Sequence, residues 1–177
     1  MITIHIKDVE YYDDASQTFV YLDGGTFRFE HSLEAIFKWE AQWKVPFLNA
    51  NHTPEQLRSY LKIMCLDEGL SDLHLVDYVV EDLNAYMNDK RTATTFQNED
   101  KNSPPSRKVL TAEVIYSYMI NANVPFEAAR WHIDRLMTLL QVIAIQQEKP
   151  KMKTRSEILA ENKALNAQRL KEYNTKG

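Results

Sequence analysis

This sequence predicts an α+β protein. It is mostly helical, with a small N-terminal β-hairpin, a compact body of about five helices and an extended C-terminal helical arm. Three observations carry this reading. Strand-like alternation is confined to the first 30 residues, apolar residues recur at helical spacing from Ser32 onward, and the last stretch differs from the rest in charge and apolar content. The chain has 177 residues, of which only 4 are Gly and 6 are Pro, too few for the many tight turns of a sandwich or barrel. We expect one domain over residues 1–148, followed by a hinge and a basic helical arm over 149–177.

In the N-terminal part, Ile2, Ile4 and Ile6 alternate with Thr3 and His5. Thr18–Leu22 and Thr26–Glu30 flank Asp23-Gly24-Gly25, which reads as the turn of a hairpin. Alternation puts Phe27 and Phe29 on one face.

A first helix is predicted over Ser32–Lys44, capped by Ser32. Its stripe is Leu33, Ile36, Phe37 and Glu40, with Trp39 and Trp43 beside it. Val45-Pro46 stops it. Thr53-Pro54-Glu55-Gln56 is a capping box with proline at the first helical position, and the helix it opens should run to about Leu66 through Leu57, Tyr60, Leu61 and Met64. A third helix is expected over Ser71–Met87, on Leu75, Val79 and Leu83. A fourth is expected over Thr111–Asn123, on Val114, Ile115, Tyr118, Met119 and Ala122. Pro125 should open a fifth that runs to about Glu148, with Trp131, Leu136, Leu139, Leu140 and Ile143 on its stripe. Between the third and fourth lies a long polar connection, about 90–108, with Thr92-Ala93-Thr94-Thr95-Phe96 as a short β-like island.

The C-terminal stretch, Lys151 to Gly177, holds seven Lys or Arg against three Glu. It therefore carries +4, whereas the whole chain carries −4 and residues 1–150 carry −8. Lys149-Pro150-Lys151 reads as a hinge, and Thr154-Arg155-Ser156-Glu157 as a second capping box. The stripe that follows is interrupted by Asn162 and Arg169. Such a helix frays in water unless a partner covers it. Ile158, Leu159, Leu165, Arg169 and Leu170 are therefore the expected partner-binding residues.

No catalytic, cofactor or metal site is expected. None of His5, His31, His52, His74 and His132 has a second His or Cys at helical ligand spacing, and no phosphate-binding or nucleophile-elbow motif occurs. His31 beside Glu30 has the composition of an acid–base pair, but a junction histidine bonded to backbone is the commoner arrangement. Trp131-His132 and Asp134-Arg135 read as a solvated surface around one buried Trp, and Trp39, Trp43, Phe47 and Tyr60 as core. The lone Cys65 reads as a core thiol on a buried helix face, which fits a reducing compartment. No signal peptide or membrane span is read, so a soluble cytoplasmic protein is expected, and its acidic body does not suggest nucleic acid as the main partner.

Several blocks resemble a family when taken together. They are FRFEHSLEAIFKWEAQWKVPFL (27–48), TATTF (92–96), LTAEVIYSYMINANVPFEAARWHIDRLMTLLQV (110–142) and TRSEILAENKALNAQR (154–169). In this order they resemble small tail-region proteins of tailed bacteriophages that are generally regarded as tail assembly chaperones, or simply as uncharacterised tail-region proteins. The most specific parts are Glu30-His31-Ser32-Leu33 with Lys38-Trp39-Glu40, and Trp131-His132 with Arg135-Leu136. The resemblance implies a non-enzymatic role in tail morphogenesis in the host cytoplasm. The partner it implies is a tape-measure or tail-tube protein, self-association is compatible with it, and no cofactor is involved. The alternative is a neck, tail or baseplate component retained in the virion.

Overall fold

The computed structural model describes residues 1–48, 50–96, 109–147 and 155–172, with backbone alone at Glu157, Ile158, Glu161, Lys171 and Glu172. The Lys149-Pro150-Lys151 hinge, Thr154 and the stretch around Asn102–Ser106 lie outside the described residues. The class is α+β: among the described residues, strands β1 (Ile2–Ile6), β2 (Val9–Asp13), β3 (Thr18–Leu22) and β4 (Gly25–Phe29) precede six helices. These are α1 (Leu33–Trp43), α2 (Pro54–Ile63), α3 (Asp77–Asn88), α4 (Ala112–Asn121), α5 (Ile133–Gln147) and α6 (Arg155–Glu172). The chain divides into two compact units, Met1–Ala144 and Ile145–Gly177.

The first correction concerns the hairpin. Asp23-Gly24-Gly25 is not its turn. β1 pairs with β4 and β2 with β3, both antiparallel. Ile6 faces Gly25 and Val9 faces Leu22, so a single register runs through both ladders and the two pairs form one long ribbon. The turn is at residues 14–17, where Asp13 accepts hydrogen bonds from the Ala15 N–H (3.2 Å) and the Ser16 hydroxyl (2.7 Å), and Gln17 takes a left-handed φ of 53°.

The ladder breaks between the two pairs because side chains take its hydrogen bonds. The Lys7 N–H donates to the Tyr78 hydroxyl, the Gly24 N–H donates to the Asp8 carboxylate, and the Asp23 carbonyl is met by His74 Nε2. Gly24 is required by close approach. A Cβ there would lie 2.2 Å from the Ile6 carbonyl oxygen and 2.7 Å from the Asp8 nitrogen, both backbone atoms that cannot swing away. At Gly25 a Cβ would meet only the Phe27 ring, at 3.2 Å. Gly24→Ala is therefore expected to destabilise the protein by about 2–4 kcal/mol and Gly25→Ala by under about 1 kcal/mol. Urea midpoints measure both, and equal effects would contradict the close approach.

The inner face of β1 and β4 (Ile4, Ile6, Phe27, Phe29) packs into the core, and Phe27 and Phe29 do share it. The free edge of β4 is covered by the chain just beyond α2, where the Glu30 N–H donates to Met64 O (3.0 Å) and the Leu66 N–H to Arg28 O (2.8 Å). Cys65 sits in this strand-like segment, bridged to Phe29, and not on a helix face, because α2 stops at Ile63.

Helix α1 starts as predicted, with Ser32 accepting from the Ala35 N–H (3.2 Å). It buries Leu33, Ala35, Ile36, Trp39 and Glu40. Phe37, expected on that stripe, is exposed and stacks edge-on with Tyr116 instead. The capping box of α2 forms in both directions, between Thr53 and Gln56. Tyr60, Leu61 and Met64 are buried as expected, but Leu57 is exposed.

Two predicted helices are each split. In place of a helix from Ser71 there is a short 3-10 turn, Asp72–His74, and then a break at Leu75-Val76 before α3. The cause is His74, whose Nδ1 accepts from the Ser71 N–H while Nε2 donates to the Asp23 carbonyl 51 residues away. Likewise the helix from Pro125 is a 3-10 turn, Phe126–Arg130, followed by extended Trp131-His132 and then α5. Here Ser32 and His132 form a bridge, and the Ile133 N–H donates to the His31 carbonyl (2.8 Å), so long-range pairing overrides the local pattern. Helix α4 ends in a left-handed Asn123, with Val124 N–H donating to Met119 O and Asn123 N–H to Ile120 O. Thr92–Phe96 is not a strand: it finds no sheet partner among the described residues, the Arg91 N–H donates to Asp134, and Thr94 turns back onto Thr92.

Candidate functional site: partner-binding surfaces

Among the expected partner-binding residues, the structure places Leu159, Leu165, Arg169 and Leu170 on α6 with exposed side chains. The Ile158 side chain lies outside the described residues. Leu159 is 61% exposed, Leu165 43% and Leu170 42%, high values for large aliphatic groups. At about 100° per residue, Leu165 lies on one side of the helix, while Leu159 and Leu170 lie together on another. Arg169 and Asn162 fall between these two apolar edges, so the cation sits inside the apolar surface. Every described side chain of α6 is exposed. This geometry suits a partner that offers apolar ridges and an acidic group.

Glu30 and His31 do not form an acid–base pair, because adjacent residues at the end of β4 point apart. Glu30 accepts from the Tyr86 hydroxyl (2.5 Å), while His31 Nδ1 bonds the Tyr60 hydroxyl (2.5 Å). His31 is thus bonded through its side chain to a core tyrosine and not to backbone. Its ring also meets His132 edge-on at 5.2 Å, and His132 meets Tyr86 at 5.1 Å. Burial, and secondarily the charge of His132, push His31 down to about 3. Burial lowers His132 as well, partly offset by Glu30, the Tyr86 backbone and Asp134. Both imidazoles are neutral at pH 7 and sealed in the core. They fasten the start of α5 to the start of α1.

The surface expected around Trp131 is inverted. His132 is the buried residue, and Trp131 is exposed with Arg135 stacked over its ring at 4.7 Å. Trp39 and Tyr60 are fully buried, with Trp43 and Phe47 packed against them, so these aromatics are core. Cys65 donates to the Asp67 carbonyl (3.3 Å), and burial raises its thiol, the opposite of an activated nucleophile.

Two clefts stand out among the described residues of the body. One, of about 610 Å³, lies between α1 and α2 and is lined by Trp43, Arg58, Ser59, Lys62 and Asp72. The other, of about 500 Å³, is lined by Glu30, Glu34, Lys38, Cys65 and Arg130. Glu34 pairs there with Lys38 and Arg130, so its charges are already matched. Among the described residues no group of three His, Cys, Asp or Glu side chains is placed to hold a metal, and no helix is long and apolar enough to cross a membrane.

Sequence reasoning did not assign the role of Glu40. Its carboxylate is buried and accepts from the Phe47 N–H (2.8 Å) and the Ala112 N–H (2.8 Å). The latter is the first residue of α4, whose own N-cap, Thr111, makes no side-chain capping bond. Helix α1 therefore caps helix α4. The signal was present in the sequence, as a glutamate lying on an otherwise apolar stripe.

No protein-family model, curated protein or solved structure matches this chain.

Proposed function

We propose that this protein is a non-enzymatic tail morphogenesis factor of a tailed bacteriophage. In this reading it is an assembly chaperone that holds the tape-measure protein by reversible contact through its C-terminal helix. The observation that carries this reading is α6, an 18-residue helix on which Leu159, Leu165 and Leu170 are all exposed. Covering each of these leucines would contribute on the order of 1.5–3 kcal/mol. That suits a client built as a long helix with exposed apolar surface. The body supports a contact role because burial keeps His31 and His132 neutral, the Cys65 thiol is not activated, and the buried Glu40 carboxylate is committed to capping α4.

Co-expression with the tape-measure protein is the direct test. The complex is expected to co-purify from the full chain, and to be lost on deletion of residues 151–177. The double variant Leu159→Asp with Leu165→Asp is expected to weaken it more than tenfold, since each buried leucine carries more than the 1.4 kcal/mol that equals a factor of ten. Mass spectrometry of purified particles is the complementary test. Absence from mature particles is expected, and stoichiometric presence would replace the chaperone reading with that of a retained virion component.

A further inference from the structure

The outer half of the ribbon, β2 with β3, stands apart from the core. Pairing places Glu10 opposite Tyr21 and Tyr12 opposite Phe19, so these four side chains share one face. All are exposed: Tyr12 by 49%, Phe19 by 61% and Tyr21 by 72%. Tyr12 and Phe19 meet edge-on at 5.2 Å, and the Tyr21 hydroxyl donates to Glu10 (2.7 Å). The opposite face, with Val9, Tyr11, Val20 and Leu22, is half-buried. An aromatic face of this kind on a two-stranded ribbon is marginal in water.

The surrounding charge is one-sided. Residues 7–24 hold Asp8, Glu10, Asp13, Asp14 and Asp23 against Lys7, a net −4. Aromatic rings beside carboxylates form a surface for cations carried on an apolar support. The same chain contains such a segment. Residues 162–171 of α6 hold Lys163, Arg169 and Lys171 with no acid, together with the exposed Leu165 and Leu170.

We infer that the Tyr12–Phe19–Tyr21 face of the ribbon docks the basic half of α6 from a second copy of this chain, head to tail. The choice of a second copy rests on charge complementarity: an acidic aromatic ribbon at one end of the sequence matches a cationic apolar half-helix, the stretch between Glu161 and Glu172, at the other. The contact is heterologous, since each copy offers a different surface to the next. It closes as a ring or reciprocal dimer, or it grows. This inference goes beyond the client reading and does not depend on it, because it concerns what α6 meets when no client is present.

Sedimentation equilibrium of the purified full-length chain tests it. Self-association is expected at about 50 mM salt and is expected to weaken at least tenfold at about 1 M, where the Debye length falls to about 3 Å. Two variants should each abolish it: a ribbon variant, Phe19→Ser with Tyr21→Ser, and an arm variant, Leu165→Ser with Arg169→Glu. Both sets of positions are exposed, so neither variant threatens the core, and circular dichroism checks the fold. The decisive measurement mixes the two. The ribbon variant keeps a sound arm and the arm variant keeps a sound ribbon, so the mixture should form a heterodimer that neither forms alone. A monomer under all conditions would overturn the inference. So would association that survives both variants, or two variants that fail to complement. The client co-purification is read separately and can succeed or fail on its own.

Discussion

Lowering the pH from 7 to 4 is expected to remove about 3 kcal/mol of stability through His31 alone. In the unfolded chain this imidazole titrates near 6.5, whereas in the folded protein burial and His132 hold it down to about 3. Between these values the unfolded state binds a proton that the folded state refuses. The contribution is therefore complete above about pH 6.5 and is lost as pH falls toward 3. His132 is shifted in the same direction and adds to the loss. The groups facing this pair are the Tyr60 and Tyr86 hydroxyls, Glu30, Asp134 and Arg91. The paired carboxylates Glu34 and Asp67 are lowered by Lys38 and Arg28 respectively. Chemical denaturation at a series of pH values gives the curve. His31→Gln, which keeps a polar partner for Tyr60 without titrating in this range, should flatten it by about the same 3 kcal/mol. A wild-type curve already flat between pH 7 and 4.5 would show that His31 is protonated without penalty.

Replacing Glu40 with alanine is expected to destabilise the body by about 3–5 kcal/mol, among the largest effects of any single side chain here. The substitution leaves the Phe47 and Ala112 N–H groups in the interior without an acceptor, and each such loss costs about 1–3 kcal/mol. It also removes a negative charge from the positive end of α4. Glu40→Gln is expected to be intermediate, because its amide keeps one oxygen but turns an N–H₂ toward the second donor. The urea midpoint should fall with an unchanged slope for both variants. A glutamine variant as stable as the native protein would mean that the second oxygen is not used.

The core residues were legible in the sequence to the extent that periodicity places them. Leu33, Ile36, Trp39, Tyr60, Val79, Leu83, Ile115, Met119 and Leu136 all lie where helical spacing puts them. The breaks were not legible. Leu75, Val79 and Leu83 keep their four-residue spacing across an interruption, so the pattern continues where the helix does not. What interrupts it is His74 reaching Asp23, and at α5 it is His132 meeting Ser32, 100 residues earlier in the chain. No local signal carries such pairings. The ribbon shows the same limit. Gly24-Gly25 looks like a turn because glycine is the usual marker of one, yet Gly24 is needed for close backbone contact. The true turn is made by Asp13 and Gln17, which advertise themselves weakly. For the candidate surface, the helical character of α6 and its sparse leucines could be read directly. The aromatic face of the ribbon could not, because it depends on a register set by that less conspicuous turn.

The capping of α4 by α1 also bears on synthesis. Glu40 leaves the ribosome about 70 residues ahead of Ala112, which at about 5–20 residues per second is a delay of roughly 4–14 s. Through that interval α1 lacks the helix that its carboxylate caps, and the part of its surface that meets α4 stays open to water. Helix α4 then closes over a charged group that must shed its water as the helix arrives. The nascent protein passes through a stage in which it exposes apolar helix of its own.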